Sequence, residues 1–598
     1  MLVSDLIIDY LASLHVKHVF LITGAAIAFT VDSFRKRKDI IYICMQHEQA
    51  AAMAAEAYSR MGPDIGVAMG TSGPGATNLI TGICGAWFDS IPTIYITGQV
   101  NTNELSKNSK VRQTGFQETN IVKIIKPITK FATQVKKPEE IKFLLEKAVY
   151  IAKNGRPGPV LLDIPINIQY AEVDPKILKS YQPSKNLDYQ DFGADLKKKV
   201  KSAIKLIEKS TRPVILAGFG NHLAKSEKEL QDFVNKLGFP VVTTWSGLDL
   251  MNYDNPLLIG QAGVYGARSA NFAIQNADLL ISIGARLDTR QTGSKPQNYA
   301  RGAKKIVVDI DKAELDKRRG LIPDIPINTD TKLFLQEILA EIPKIKKPKI
   351  DKWLRVVKDW KFKYPTILPQ YQKQKSYVNP YHFISTLSEM LPDNAIIIPD
   401  EGGNLTWTMQ SFKIKNGQRL FSTFGNSPMG YALPAAIGAC FAVNMKRPVI
   451  CITGDGGLQI NIQEFQTVVH HKLPLKIFIL NNKSYGIIKQ FQDTWLESRY
   501  EASEKGYSTP DFVKVASAYK IKTVQIKNHK ELKSKISQVL NFKGPVFCDV
   551  LLHPDQKIIP KIEFGMPLED MTPYLKRQEF IKNMIVKPLP ESLTLELN

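Results

Sequence analysis

The chain alternates short, almost wholly apolar runs with longer stretches in which apolar residues return every three or four positions. The runs Val19 to Ile22, Ile40 to Cys44, Gly66 to Met69, Pro92 to Ile96 and Pro159 to Ile164 are apolar on both faces that a strand presents. That is the pattern of strands in a parallel sheet covered on both sides. Similar runs return at Val214 to Leu216, Val241 to Thr243, Leu279 to Ile283 and Ile306 to Val308. A third group lies at Ala395 to Ile398, Val449 to Ile452, Leu475 to Leu480 and Val546 to Leu552. Strands alternating with helical stretches predict α/β domains built on doubly wound parallel sheets. Three blocks are expected, at residues 1–171, 193–342 and 376–560, with a polar tail at 561–598. Polar stretches separate them: Glu172 to Phe192 as a linker, and Lys344 to Lys363 as a linker plus a solvated helix. Whether the first and third blocks repeat one structure is not visible in the residues.

Composition narrows the class. The chain has 598 residues, 44% of them hydrophobic, which suits several domains with sizeable cores. No apolar run reaches the roughly 18–20 residues of a membrane helix. The N-terminus enters an amphipathic helix with Asp5 and Asp9 in its first turns, so neither a signal nor a transit peptide is expected. The five cysteines have no CxxC spacing, which argues against a zinc site or a disulfide framework. Cys44, Cys451 and Cys548 lie in apolar runs, where cysteine acts as a small hydrophobe, and a reducing cytoplasm fits. The formal charge of +22 invites a nucleic-acid reading, but the lysines are scattered and no recognition helix, zinc finger or aromatic RNA-binding strand accompanies them. Attraction of anionic substrates explains the charge as well.

Chemistry concentrates where the strands end. Gly454-Asp455-Gly456 closes the run Val449 to Ile452, and Asn481-Asn482 closes the run Leu475 to Leu480, with Gly457 to Lys472 between them read as a helix. A βαβ unit is right-handed with parallel strands, so both polar clusters fall at the carboxyl end of one sheet, where α/β folds bind ligands. Asp455 and Asn482 offer hard oxygens suited to Mg²⁺, which takes few protein ligands and completes its octahedron from phosphates and water. Gly456 lets backbone N–H groups approach a phosphate at the start of the following helix.

This pairing resembles the diphosphate-binding signature of thiamine-diphosphate (ThDP) enzymes, and further motifs resemble the acetolactate (acetohydroxyacid) synthase branch. Gln46-His47-Glu48-Gln49 resembles the segment whose carboxyl hydrogen-bonds the aminopyrimidine ring. Read alone, Glu48 is a helix-capping carboxylate. Thr71 to Asn78 resembles the pyrimidine-domain SGPG turn, and Phe116-Gln117-Glu118 the segment whose Phe and Gln face the reacting centre. Gly155 to Val160, with Arg156, also matches. In the second block Gly218-Phe219-Gly220 lacks the full dinucleotide fingerprint. The ordered set Gly263 to Asn271, Asp278 to Leu280 and Gly284 to Gly293 resembles the family's FAD-binding central domain. The resemblance implies cofactor contacts at Gly218, Gly263, Arg286, Asp309 and Asp330, and a keto-acid carboxylate at Arg290, whose guanidinium offers a bidentate fork. In the third block it implies diphosphate contacts at Gly402, Gly403, Asn404, Gly454 and Gly456. It also makes Met429 a wedge between the two rings of the cofactor, and gives Mg²⁺ the ligands Asp455, Asn482 and the carbonyl of Ser484.

The family's activity would then be decarboxylation of pyruvate and ligation of the two-carbon unit to a second 2-keto acid, giving 2-acetolactate-type products, with FAD in a non-redox role. Glu48 and Asp455 would meet across a homodimer or homotetramer interface, and a regulatory subunit is possible in such a family. The absence of adjacent histidines in the first block favours carbon–carbon bond formation over aldehyde release. Departures touch substrate choice. Phe491 stands where the branched-chain enzymes carry Trp, Thr23 to Ala26 replaces the usual PGG, and the tail around Met566 does not match. They keep open transfer to a ketosugar nucleotide or another carbonyl acceptor. A nucleotide-binding protein without catalysis is disfavoured, because Glu48, Asp455 and Asn482 are all present.

Overall fold

A computed structural model describes residues 1–62, 65–106, 110–183, 192–317 and 319–594; part of the expected linker at Glu172 to Phe192 and of the loop from Asn101 to Thr114 lies outside them. The first sheet holds β1 (His18–Leu21), β2 (Ile41–Cys44), β3 (Gly66–Gly70), β4 (Thr93–Gln99), β5 (Phe131–Gln134) and β6 (Val160–Pro165), in the order β2-β1-β3-β4-β6-β5. The central sheet holds β7 (Pro213–Ala217), β8 (Val241–Thr243), β9 (Leu258–Gln261), β10 (Leu279–Ile283), β11 (Lys304–Asp309) and β12 (Ile325–Asn328), in the order β12-β11-β10-β7-β8-β9. The third holds β13 (Ile396–Pro399), β14 (Arg419–Leu420), β15 (Val449–Gly454), β16 (Lys476–Asn481), β17 (Lys522–Ile526) and β18 (Val546–Leu551), in the order β14-β13-β15-β16-β18-β17. The recorded pairings within these sheets are parallel.

The first and third sheets share one strand order, so the two blocks are structural repeats. The central sheet has the dinucleotide-fold order, reversing direction between β7 and β10. Five strands were not legible as apolar runs: β5, β9, β12, β14 and β17. All five are sheet edges. An edge strand is covered less completely and tolerates polar residues, as in Phe131-Ala132-Thr133-Gln134, half-buried throughout. The edge strand β2 shows the converse. Its apolar run reads as doubly covered, yet Ile41, Tyr42 and Cys44 are exposed.

The helices after β2 and β14, Glu48–Met61 and Ala432–Ala442, occupy equivalent places in the two repeats and pack on each other. Their alanines and glycines permit close approach; a Cβ on Gly438 would lie 2.1 Å from the Ala54 carbonyl oxygen. The stretch Gly457 to Lys472 is not one helix. It breaks at Asn461 into Asp455–Ile460, a short 3₁₀ turn and Phe465–His470, because Asn461 turns its amide to the Gly430 carbonyl at 2.7 Å.

Two further expectations change. The helix Asp351–Lys363 is not solvated all round: Trp353, Val357 and Trp360, spaced for one helix face, are buried on the central domain. The tail is not merely polar, since Leu568 and Phe580 enter the same core. Asn271 Nδ2 donates to the Leu568 carbonyl at 3.0 Å and Gln275 to Glu569 at 2.6 Å, fixing the returning chain. No helix among the described residues is long and apolar enough to cross a membrane.

Candidate active site

The third sheet changes winding direction between β13 and β15, and the loops leaving those two strands build one cluster. Gly454 pairs with Leu480, so Asp455 and Asn482 leave adjacent parallel strands side by side. Asp455 Oδ1 accepts from Gly456 N at 2.7 Å and from the Tyr507 hydroxyl at 3.0 Å. Backbone N–H groups of Lys483 and Ser484 also point to this carboxylate, which ties it to the Asn482 turn. Asp455 Oδ2 is buried without a hydrogen-bond partner. Burial pushes this carboxyl up to about 6, the hydrogen bonds from Tyr507, Gly456, Lys483 and Ser484 offsetting only part of the desolvation of its charge. A buried acceptor oxygen left bare is costly, and a bound cation removes that cost. Asn482 donates Nδ2 to Ser484 Oγ at 3.0 Å, which turns its amide oxygen, the ligand-type atom, the other way. The Ser484 carbonyl accepts from Gly486 N at 2.9 Å, using one of its two lone pairs.

Asp400, at the end of β13, organises the rest. Its carboxylate accepts from Glu401 N, Gly430 N, Tyr431 N and Thr453 Oγ1, fixing the loop that carries Met429. Buried, it too is pushed up to about 6. Gly402 has φ +102° and opens the helix Gly403–Ser411. A Cβ on Gly456 would come within 2.3 Å of the Tyr485 ring and 3.1 Å of Met429 Cε; one on Gly454 would come within 2.8 Å of Asn404 Oδ1. Gly402, Asn404, Met429, Gly454, Asp455, Gly456 and Asn482 therefore gather at one end of the sheet. Asp400 was visible in the sequence only as a strand end, and Tyr507 lies in a polar loop with no signal to single it out.

Glu48 belongs to a second cluster. His47 caps its helix, Nδ1 accepting from Gln49 N at 3.1 Å. Glu48 is buried, with Oε2 accepting from Asn78 Nδ2 at 2.9 Å and the Gly75 turn against Oε1. Gln117, in the left-handed region at φ +64°, packs on Gly73 of the same turn. Phe116 is 86% exposed. Within one chain no hydrogen bond joins Glu48 to Asp455, Met429 or Asn482 among the described residues. The chain does bring the two blocks together one turn away, where Gln46 N donates to Glu464 Oε1 at 2.9 Å. Burial raises that glutamate to about 7.

The third cluster is a cavity of about 260 Å³ at the central sheet's own switch point. Arg156, Gly220, Gly284, Arg286, Asp309 and Asp330 line it. A Cβ on Gly218 would stand 2.3 Å from the Gly284 carbonyl oxygen, so the two turns touch through bare backbone. Arg156 bridges Ser90, Asp311 and Glu314. Asp309 is pushed up to about 6 by burial. Gly263 lies behind the wall, under the Arg290 carbonyl, and Ala262 takes the lining position. Arg290 is exposed at the mouth, its guanidinium 5.3 Å from the Tyr265 ring centre. Phe491 is half-exposed and forms an aromatic group with Phe564 and Trp495, at ring separations of 5.9 and 5.7 Å to Phe564.

Profiles of the thiamine pyrophosphate enzymes match all three blocks: the N-terminal TPP binding domain over residues 1–124, the central domain over 200–338 and the C-terminal TPP binding domain over 400–550. The chain belongs to this family of ThDP-dependent enzymes. Within it, the chain stands with the acetolactate synthase large subunits. It is 36% identical over 585 residues to the acetolactate synthase large subunit of Cyanidium caldarium, spanning 96% of this chain and 97% of that one. It is 35% identical over 588 residues to the probable acetolactate synthase large subunit of Methanocaldococcus jannaschii, spanning 97% and 96%. With the acetolactate synthase large subunit of Lactococcus lactis the identity is 33% over 569 residues, spanning 95% of each.

Proposed function

We propose that the enzyme removes CO₂ from pyruvate and joins the remaining two-carbon unit to a second 2-keto acid, with 2-acetolactate as the product when both are pyruvate. The observation that carries this reading is the bare, buried Asp455 Oδ2 beside Asn482 and the glycine turn. That donor set fits Mg²⁺ holding a diphosphate: one carboxylate and one amide, with the phosphate oxygens and water left to complete the shell. Gly402, Gly403, Asn404, Gly454 and Gly456 would hold the diphosphate, and Met429 would press against the rings.

ThDP, when bound, supplies the electron sink at which pyruvate loses CO₂. Glu48 would hydrogen-bond the pyrimidine ring through its carboxyl. Gln117 and Phe116 face the reacting carbonyl groups. Arg290 pairs with the acceptor's carboxylate, and Phe491 walls its side chain. FAD would take the central cavity, with Arg156, Arg286, Asp309 and Asp330 as polar contacts and Gly220 and Gly284 in its wall, Gly218 packing behind them on the Gly284 turn. Since ligation is redox-neutral, its role would be structural. Glu48 of one subunit would complete the Asp455 site of another, so the working unit would be a homodimer or a homotetramer. Such an assembly acts on small 2-keto acids in the cytoplasm, with or without a regulatory subunit.

The test is product analysis of purified protein with pyruvate, ThDP, Mg²⁺ and FAD, with and without 2-ketobutyrate. Acetolactate that requires both ThDP and a divalent cation is the expected result. No CO₂ release under those conditions would remove the proposal.

A further inference from the structure

Glu464 is a carboxylate that the reaction above does not use, and it is fully buried. It ends the 3₁₀ turn Ile462–Glu464, which follows the break at Asn461. That turn is pinned in place: Glu464 N donates to the Asn461 carbonyl at 3.0 Å, and Asn461 Nδ2 to the Gly430 carbonyl at 2.7 Å. Glu464 Oε2 accepts from Thr467 Oγ1 at 2.7 Å, in the helix that follows. Oε1 crosses to the first domain and accepts from Gln46 N at 2.9 Å, and the His47 N–H points to the same carboxylate. These partners are neutral N–H and O–H groups, and no cation pairs with Glu464 among the described residues.

A carboxylate buried among neutral donors is a poor way to hold two domains together. What matters is which donors it takes. Gln46 and His47 are the two residues before the helix Glu48–Met61, with His47 as its N-cap. Their N–H groups lie outside the helical ladder and need an acceptor. Glu464 supplies it, and its charge stands in front of a helix N-terminus, where an anion is favoured. Two independent holds then meet at Glu48. From within the first domain, Asn78 Nδ2 donates to its carboxyl at 2.9 Å and sets the side chain's direction. From the third domain, Glu464 holds the backbone that leads into it.

We propose that Glu464 is a positioning residue for Glu48: by holding the Gln46-His47 turn it fixes where that helix begins, and so where the Glu48 carboxyl meets the pyrimidine ring. This rests on the reading of Glu48 given above. Glu464 acts through Glu48 and moves no proton of its own in the reaction. Substitutions separate this role from packing. Glu464→Gln keeps an oxygen for the Gln46 and His47 N–H groups, and its NH₂ donates to the Thr467 hydroxyl. Glu464→Ala leaves both N–H groups buried without an acceptor.

The test is a mutant cycle on a partial reaction. Exchange of the ThDP thiazolium C2 proton for deuterium, read by NMR after quenching and without pyruvate, reports the step that Glu48 assists. Each rate is taken per ThDP bound, so unfolded protein does not enter it. Glu48→Gln should slow exchange by about 10²–10⁴-fold. Glu464→Ala should slow it by about 10- to 100-fold, the loss expected for a reacting group misplaced by about 1 Å, while calorimetry shows ThDP affinity within about threefold of the wild type. Glu464→Gln should recover most of the rate. Glu464→Ala added to Glu48→Gln should cost less than about twofold more, because nothing remains to be positioned. Where Glu464→Ala gives no folded protein, Glu464→Asp takes its place with the same expectations, since it keeps the charge and withdraws the oxygens by one methylene. A wild-type rate in these variants, or losses that multiply in the double variant, overturns the role of Glu464 and leaves that of Glu48 standing. Wild-type exchange in Glu48→Gln overturns the reading of Glu48 itself, and the role of Glu464 with it.

Discussion

The first and third domains are the same construction used for different ends. Both sheets run in one strand order, and both follow their second strand with an alanine-rich helix. The likeness reaches single buried residues. Asp163 in β6 accepts from Gln134 in β5 and Gln99 in β4, at 2.8 and 3.0 Å. Asp549 in β18 accepts from Gln525 in β17 and Asn481 in β16, at 3.0 and 3.1 Å. At the carboxyl ends the likeness stops. The third sheet offers glycine turns, a bare carboxylate oxygen and an amide, which suit an anion and its cation. The first offers a carboxyl held by an asparagine, with an apolar helix beneath it. The frame therefore fixes where a ligand lies, and a few loop residues fix which ligand it is.

That division of labour can be broken by experiment. If the first domain contributes chemistry and the third contributes anchorage, Glu48→Gln should lower turnover by about 10²–10⁴-fold while ThDP affinity stays near that of the wild type. Asp455→Ala should instead abolish Mg²⁺-dependent ThDP binding. Calorimetry alongside turnover measures both, and matching losses of affinity in the two variants would erase the distinction. Mixing the two inactive proteins sharpens it further. Where each site draws one end from each of two chains, a mixed dimer holds one intact site, and about a quarter of wild-type activity should return. No recovery after exchange of subunits, shown by mixed tags, would place both residues in one chain's own site.

The smallest effect concerns the shared aspartates. Burial raises Asp163 to about 6 from an ordinary value of 3.8. The folded state thus prefers the protonated form. Its stabilising contribution is full below the unfolded value and is lost as pH rises through about 6, a change of about 3 kcal/mol at most. Asp549 is shifted the same way, also by burial. Hydrogen exchange at β6 amides should therefore quicken between pH 4 and pH 7, after correction for intrinsic rates, and Asp163→Asn should flatten that dependence. An identical slope in the variant would detach the aspartate from it.

Much of this was legible in the chain. Central strands, buried on both faces, appear as apolar runs, and the glycine, carboxylate and amide at their ends stand out because little else tolerates such places. Edge strands such as β5 and β17 escaped notice because half-buried residues mix polar with apolar. The roles of Asp400 and Tyr507 could not be seen, since each depends on which distant loop folds against it. The break at Asn461 was hidden for the same reason: its amide finds Gly430, thirty-one positions earlier.

The return of Leu568 and Phe580 into the central core has a consequence in time. As synthesis proceeds, the middle sheet is made well before the residues that close its surface. The aromatic face around Phe272 and Trp360 stays uncovered while the whole third domain emerges, whereas the first domain can settle early. Chaperone demand, and the yield of protein shortened after the third domain, should therefore report on a single returning segment.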